Sequence, residues 1–274
     1  WYIIIRDGKK GTPIPFWKVY KLTVSGFALN YATPVGLMGG EPYRIMELTP
    51  YVGASKATSS VILYVMMHIF SHFCFWFFSI FLYLALRPVD IAMGTILAVV
   101  GAVSLLAIYF FMKGYKNGMA VRTLKLLQHI PFVKEWAKRF SENKREALER
   151  VDSQIAELHK QRRSTFYASL SLEFMARIIG CLEVYFILNI LTTDVSFPAC
   201  ILIMAFTSLF ANLFFFSPMQ LGAREGGFAL AVGGLAIPGA FGVYTGLITR
   251  VRELIWIVIG VLLMKVGNGT PANK

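Results

Sequence analysis

Two glutamates in this sequence stand in similar settings. Glu41 follows Pro34 by seven residues, Glu225 follows Pro218 by seven, and glycine lies between in both cases. The stretches read NYATPVGLMGGE from Asn30 and NLFFFSPMQLGARE from Asn212, with the prolines 184 residues apart. A break of this kind exposes the free N–H groups of the helix that follows it. A carboxylate there either caps those groups or lines a path and meets an amine, a proton or an incoming headgroup. Arg44 and Arg224 flank the two glutamates; snorkelling to an interface explains them as well as ligand binding does. Twenty-seven residues after each glutamate a polar position falls in apolar sequence, His68 in the first case and Arg252 in the second.

Further charges interrupt the apolar run 166–191, which holds Glu173, Arg177 and Glu183. Glu173 and Arg177 are four apart, the spacing of a helical ion pair. Either they neutralise one another, or Arg177 joins Arg252 in gripping a phosphate, a task suited to the planar, always-charged guanidinium. His68 and His72 share a helical face and have the spacing of a zinc pair, but HIFSH lacks the glutamate of the HExxH pattern. They read as a polar stripe facing a bundle interior, and no metal is expected. Cys74, Cys181 and Cys200 lie in apolar runs without ligand spacing and read as inert thiols. No nucleophile elbow, phosphate loop or dinucleotide motif is present, so no catalytic residue and no cofactor is assigned.

The elements that must hold these groups belong to a membrane. Of 274 residues 56% are hydrophobic and only 15% charged, where a soluble domain has roughly 45–50% apolar residues (glycine included) and about 25% charged. That excludes a disordered chain and argues against a water-soluble enzyme. The net charge is +12, of which +7 falls within residues 113–163, with 13 basic and 6 acidic side chains. Basic charge gathered in a loop between apolar spans marks the cytoplasmic side rather than a nucleic-acid face.

A crossing needs about 20 mainly apolar residues. Candidates are 58–86, 91–112, 166–191, 198–216, 228–247 and 248–264, with Asp90 capping the second and Ser196 the fourth. The opening WYIII reads as the tail of an earlier transmembrane helix. Residues 6–21 carry +4 and also belong inside, so the chain from Lys21 to Lys56 crosses an even number of times. A half-span that enters, breaks and returns fits that parity, and broken backbone at depth needs protein or water around it. The second break has its flanks outside, giving two copies of opposite topology unless the likeness of Gly/Pro-rich turns is chance. The expected fold class is an all-α polytopic helical bundle with two re-entrant or broken helices in an inverted repeat. Its divisions are 1–112 (a first repeat, incomplete at its start), 113–163 (a basic cytoplasmic loop) and 164–274 (a second repeat). Within the loop, Leu148, Val151, Ile155 and Leu158 form one apolar stripe, and Phe132, Val133, Trp136 and Phe140 another. Those helices lie on anionic lipid, pack on themselves or the bundle, or dock a cytoplasmic protein.

Asn30, Pro34, the run Gly39-Gly40-Glu41-Pro42-Tyr43-Arg44, Asn212, Pro218, Gly222, Arg224-Glu225-Gly226, Arg250 and Arg252 resemble the flippase-like membrane family that includes the transmembrane region of lysylphosphatidylglycerol synthase. The resemblance implies a polytopic bacterial or archaeal membrane protein. In the lysyl-lipid proteins this region moves aminoacylated phosphatidylglycerol between leaflets, while a separate soluble domain makes it. The motif falls on Glu41, Arg44, Glu225 and Arg252, and Met67-His68 stands where members tend to carry an acidic–arginine pair. No transferase domain is recognised, so the chain alone is not expected to aminoacylate lipid.

Together these readings give a multi-pass protein of the cytoplasmic membrane that moves or binds a phospholipid or other phosphate-bearing lipid. Glu41, Arg44, His68, Glu173, Arg177, Arg224, Glu225 and Arg252 are its candidate lipid-binding residues. Two rivals stand beside it. One is a membrane enzyme on a lipid-linked phosphate, with Glu41, Glu225 or His68 as acid or base. The other is a non-catalytic partner docking through 113–163.

Overall fold

The computed structural model describes residues 1–6, 14–32, 39–117, 163–192, 194–214 and 220–265. Among them there are nine helices and no strand. They are α1 (Tyr2–Arg6), α2 (Phe16–Ala32), α3 (Gly40–Val52), α4 (Ala54–Leu86), α5 (Ile91–Asn117), α6 (Arg163–Leu191), α7 (Phe197–Leu213), α8 (Ala223–Gly233) and α9 (Gly239–Lys265). The all-α class expected from the composition is the class observed. Pro34, Pro218 and both amphipathic stripes of the basic loop lie outside the described residues.

Among the described residues three stretches are long and apolar enough to cross a membrane: Ala54–Leu86, Ile91–Tyr109 and Arg163–Leu191. The caps that start α5 and α7 come from the predicted residues. Asp90 Oδ1 accepts the Met93 N–H at 2.7 Å and starts α5 after the Arg87-Pro88 turn. Ser196 Oγ accepts the Ala199 N–H at 3.4 Å, with Pro198 in the first turn of α7. Asn189 closes the α6–α7 connection, its amide donating to the carbonyls of Tyr185 (2.9 Å) and Val195 (3.0 Å).

The end of the chain departs from expectation. Two spans meeting at 247/248 are replaced by short α8, a turn at 234–238, and one uninterrupted 27-residue α9. The break falls where Gly233, Gly234 and Pro238 cluster, since proline cannot continue a helix from inside it. Gly242 and Gly246 then face α8. A Cβ at Gly242 would stand 2.4 Å from the Phe228 carbonyl oxygen, so this small-residue pair serves packing within the chain.

The helices pack in two sequential groups that interlock. α2, α3 and α4 are neighbours in turn, as are α7, α8 and α9. Across the groups α9 lies on α2, and α4 lies on α6 and α7. Ser25 of α2 donates to the Gly260 carbonyl of α9 at 3.1 Å, an approach that only a glycine at 260 permits. Val184, Leu188, Cys200, Ile203, Phe228 and Val232 build a core between α6, α7 and α8. α5 packs mainly on α4 and leaves Ile91, Ile96, Val99, Val103, Leu105 and Leu106 more than half exposed. In water that face would be untenable; in lipid it is an ordinary outer surface.

Candidate functional site

Three polar residues of the long helices sit at or near the helix midpoints. Arg177 is halfway along α6, Arg252 halfway along α9, and His68 near the middle of α4. In an apolar bundle such groups persist only with partners or in a cavity. They form two clusters, joined by adjacent residues at the end of α2.

The first cluster begins at Asn30. Its Oδ1 accepts the Gly40 N–H at 2.7 Å and its amide donates to Glu41 Oε1 at 3.0 Å, so one side chain secures both the start of α3 and its first acidic residue. Arg44 is buried and turned inward, which removes the snorkelling alternative for it. Nη2 donates to the Thr23 carbonyl at 3.1 Å, and Nη1 lies 3.5 Å from Glu41. Its guanidinium stands 5.3 Å from the Tyr64 ring centre. Gly26 makes room for it, because a Cβ there would lie 2.3 Å from Arg44 Nε.

Across the Tyr64 ring the cluster reaches α6. Glu173 and Arg177, spaced for a pair with one another, both turn to α4. Glu173 Oε2 is 3.1 Å from His68 Nδ1. Arg177 donates to Ser71 Oγ at 2.7 Å and to the His68 carbonyl at 2.8 Å.

The second cluster lies between α6, α8 and α9. Glu225 caps α8 by accepting the Gly222 N–H at 2.9 Å, where Gly222 adopts φ +77, a conformation that favours glycine. Its other oxygen accepts Arg250 Nε at 2.9 Å, and Arg250 Nη2 reaches the Gln220 carbonyl at 3.0 Å. Glu253 is the hub. It pairs with Arg224, accepts from the Tyr31 hydroxyl at 3.4 Å, and lies 3.5 Å from Arg250 and 3.8 Å from Arg252. Arg252 makes its shortest bond elsewhere, to Glu183 of α6 at 2.9 Å. Six charges therefore cancel: Arg224, Arg250 and Arg252 against Glu183, Glu225 and Glu253.

Because the charges already cancel, an incoming anion would have to displace a glutamate from one of the arginines. The exchange is easiest at Arg252, whose side chain is 48% exposed against 15% for Arg224 and 11% for Arg250. Matching the chain against protein families agrees with a lipid-facing role: the family described as the lysylphosphatidylglycerol synthase TM region matches residues 1–260. The chain belongs to that family. It is thus a membrane protein related to lipid handling. No curated protein and no solved structure matches it.

Within this family member, Glu41, Arg44, His68, Glu173 and Arg177 come together in the first cluster, and Arg224, Glu225 and Arg252 in the second. Arg177 and Arg252 contact different helices. Arg177 binds α4, whereas Arg252 binds Glu183, about 9 Å further along α6 and on another of its faces. Sequence reasoning gave Glu253 and Tyr31 no role, and gave Arg250 and Glu183 no place in the site. Glu253 carried a usable signal, since an acid beside two arginines inside an apolar helix must be paired. Tyr31 carried none. Among the described residues no group of three metal-ligating side chains occurs, and the His68 and His72 rings meet edge to face at 5.3 Å between centres.

Proposed function

We propose that this chain is a flippase-like lipid translocase and that Arg252 is the group that first receives the phosphate of a phospholipid or other phosphate-bearing lipid. The observation that carries this is the Arg252–Glu183 bond, a 2.9 Å pair whose arginine is half exposed in the middle of α9. An arriving phosphate takes the place of the Glu183 carboxylate on the guanidinium, while the acyl tails stay in lipid. Glu225 and Glu253 hold Arg250 and Arg224 in place and set the charge of the site. Arg177, on a different face of α6, is a second station rather than the other half of one clamp.

The repeat reading supports alternating access. α2 and α7 both have 17 residues; α3 and α8 both open with a glutamate in the first turn and lead into a long helix. We take 1–112 and 164–274 as two copies of opposite topology around a midplane site, with breaks that dip into the bilayer. The loop 113–163 lies between them on the cytoplasmic side of a cell membrane crossed several times, where it is open to a cytoplasmic protein.

Native mass spectrometry of the purified chain with phosphatidylglycerol tests the assignment. Arg252→Glu should reduce lipid binding at least tenfold, which is about 1.4 kcal/mol. The exchanged pair Glu183→Arg with Arg252→Glu should recover part of it. Equal binding by the wild type and an intact Arg252→Glu protein would reject the assignment.

A further inference from the structure

The bond between His68 and Glu173 differs in kind from the other ion pairs of the two clusters. Those join arginine to glutamate. Here one partner is an imidazole, whose two ring nitrogens can hold one proton or two. It bridges two membrane-length helices at their midpoints, with Nδ1 3.1 Å from Glu173 Oε2 and half of the ring exposed.

The hydrogen bond fixes where a proton can add. An ionised Glu173 only accepts, so Nδ1 carries a proton and the neutral ring keeps its lone pair on Nε2. Arg177 is anchored beside it, on the His68 carbonyl and Ser71. His72 sits one turn on, edge to face with His68 at 5.3 Å between centres, and its Nδ1 is buried with no hydrogen-bond partner. Other groups facing the site are Tyr64 and Cys74 of α4 and Arg44 of α3 (paired with Glu41). Arg252 of α9 is held off on Glu183.

Counting side chains, Glu173, Arg177 and neutral His68 sum to zero. A proton taken from water onto Nε2 raises the sum to +1, and an uncompensated charge is costly in this apolar setting. A phosphate bearing one negative charge that reaches Arg177, beside His68, restores the balance. We propose that His68 and Glu173 form a proton-binding site linked to headgroup binding, so that the chain takes up a proton with each phosphate-bearing lipid it binds. This rests on the lipid-translocase reading and supplies it with a coupling ion. By linkage, lower pH tightens lipid binding, and lipid binding draws a proton from solution.

The test adds short-chain phosphatidylglycerol to the purified full chain in weakly buffered detergent micelles at several pH values between about 5.5 and 8. Lipid binding is followed by calorimetry and proton uptake by an indicator dye. The wild type should take up close to one proton per bound lipid at some pH in that window, with affinity rising by up to about tenfold for each unit the pH falls. His68→Gln and Glu173→Gln should each lose both the uptake and the pH dependence. Lipid binding without proton uptake in the wild type overturns the linkage and leaves the lipid reading standing. Unaltered uptake in a folded His68→Gln protein does the same. Absence of binding at every pH overturns the lipid reading and the linkage with it. The wild-type measurement decides even where a variant fails to fold.

Discussion

Arg252 of α9 and Glu183 of α6 hold each other at 2.9 Å, and they are the most exposed of the arginine–glutamate pairs among the described residues. The other arginines of that cluster are locked by buried partners. If this pair is the entry point, its two members act in opposite directions. Glu183→Gln should free Arg252 and tighten phosphatidylglycerol binding several-fold, whereas Arg252→Gln should weaken it at least tenfold. Calorimetry on both variants in one detergent checks the sign of each.

Glu253 has a structural task that Glu183 does not share. It is 5% exposed and is approached by Arg224, Arg250, Arg252 and Tyr31. Removing its charge leaves buried arginines without their counter-ion, a loss of about 3–5 kcal/mol for a buried pair. Glu253→Gln should therefore show a clear drop in thermal stability by fluorescence-detected size exclusion. Glu183→Gln, on a partly exposed pair, should cost no more than about 1 kcal/mol.

The two asparagine-led motifs read alike but are used differently. Asn30 bonds both Gly40 and Glu41, while Asn212 donates to the Ser208 carbonyl one turn back. Asn30→Ala orphans a buried N–H and should destabilise by about 1–3 kcal/mol. Asn212→Ala should fall within about 0.5 kcal/mol of wild type. Parallel melting curves compare them.

Gly40 and Gly226 make a second contrast. A Cβ at Gly40 would lie 2.1 Å from the Gly26 carbonyl oxygen, whereas one at Gly226 meets nothing within 4 Å. Gly40→Ala forces α2 and α3 apart and should cost about 1–3 kcal/mol. Gly226→Ala, inside α8, should be neutral or stabilising by up to about 1 kcal/mol. Melting temperatures of the two alanine variants give the answer.

Topology is testable from the α4–α5 turn. With the basic segment in the cytoplasm, a cysteine at Val89, which is 42% exposed, should react with an impermeant maleimide in intact cells. A cysteine at Ser141 should react only after permeabilisation.

What the residues announced, and what they withheld, follows from the range of each signal. The last residue of α4, the first of α5 and the last of α6 were visible because turn and cap residues punctuate long apolar runs: Arg87-Pro88 and Asp90 lie at one junction, Ser196 at another. The α8–α9 boundary was misplaced because apolar sequence in a membrane helix has little periodicity, so only the glycine and proline at 234–238 mark the turn. The identities of the charged residues were legible, but their partners were not. A spacing of four speaks for one helix, yet Glu173 and Arg177 found better partners on α4, over a hundred residues away in the chain. Tyr31 meets Glu253 across 222 positions, a contact that exists only because α9 packs on α2.

The most direct test is lipid movement itself. Vesicles containing the purified chain and a trace of NBD-labelled phosphatidylglycerol are treated with dithionite, which bleaches only the outer leaflet. Wild-type vesicles should lose fluorescence well beyond the outer-leaflet half, and Arg252→Gln vesicles should do so at least tenfold more slowly. Bleaching that stops at half in wild-type vesicles, or that is equally fast in both proteins, would contradict the account.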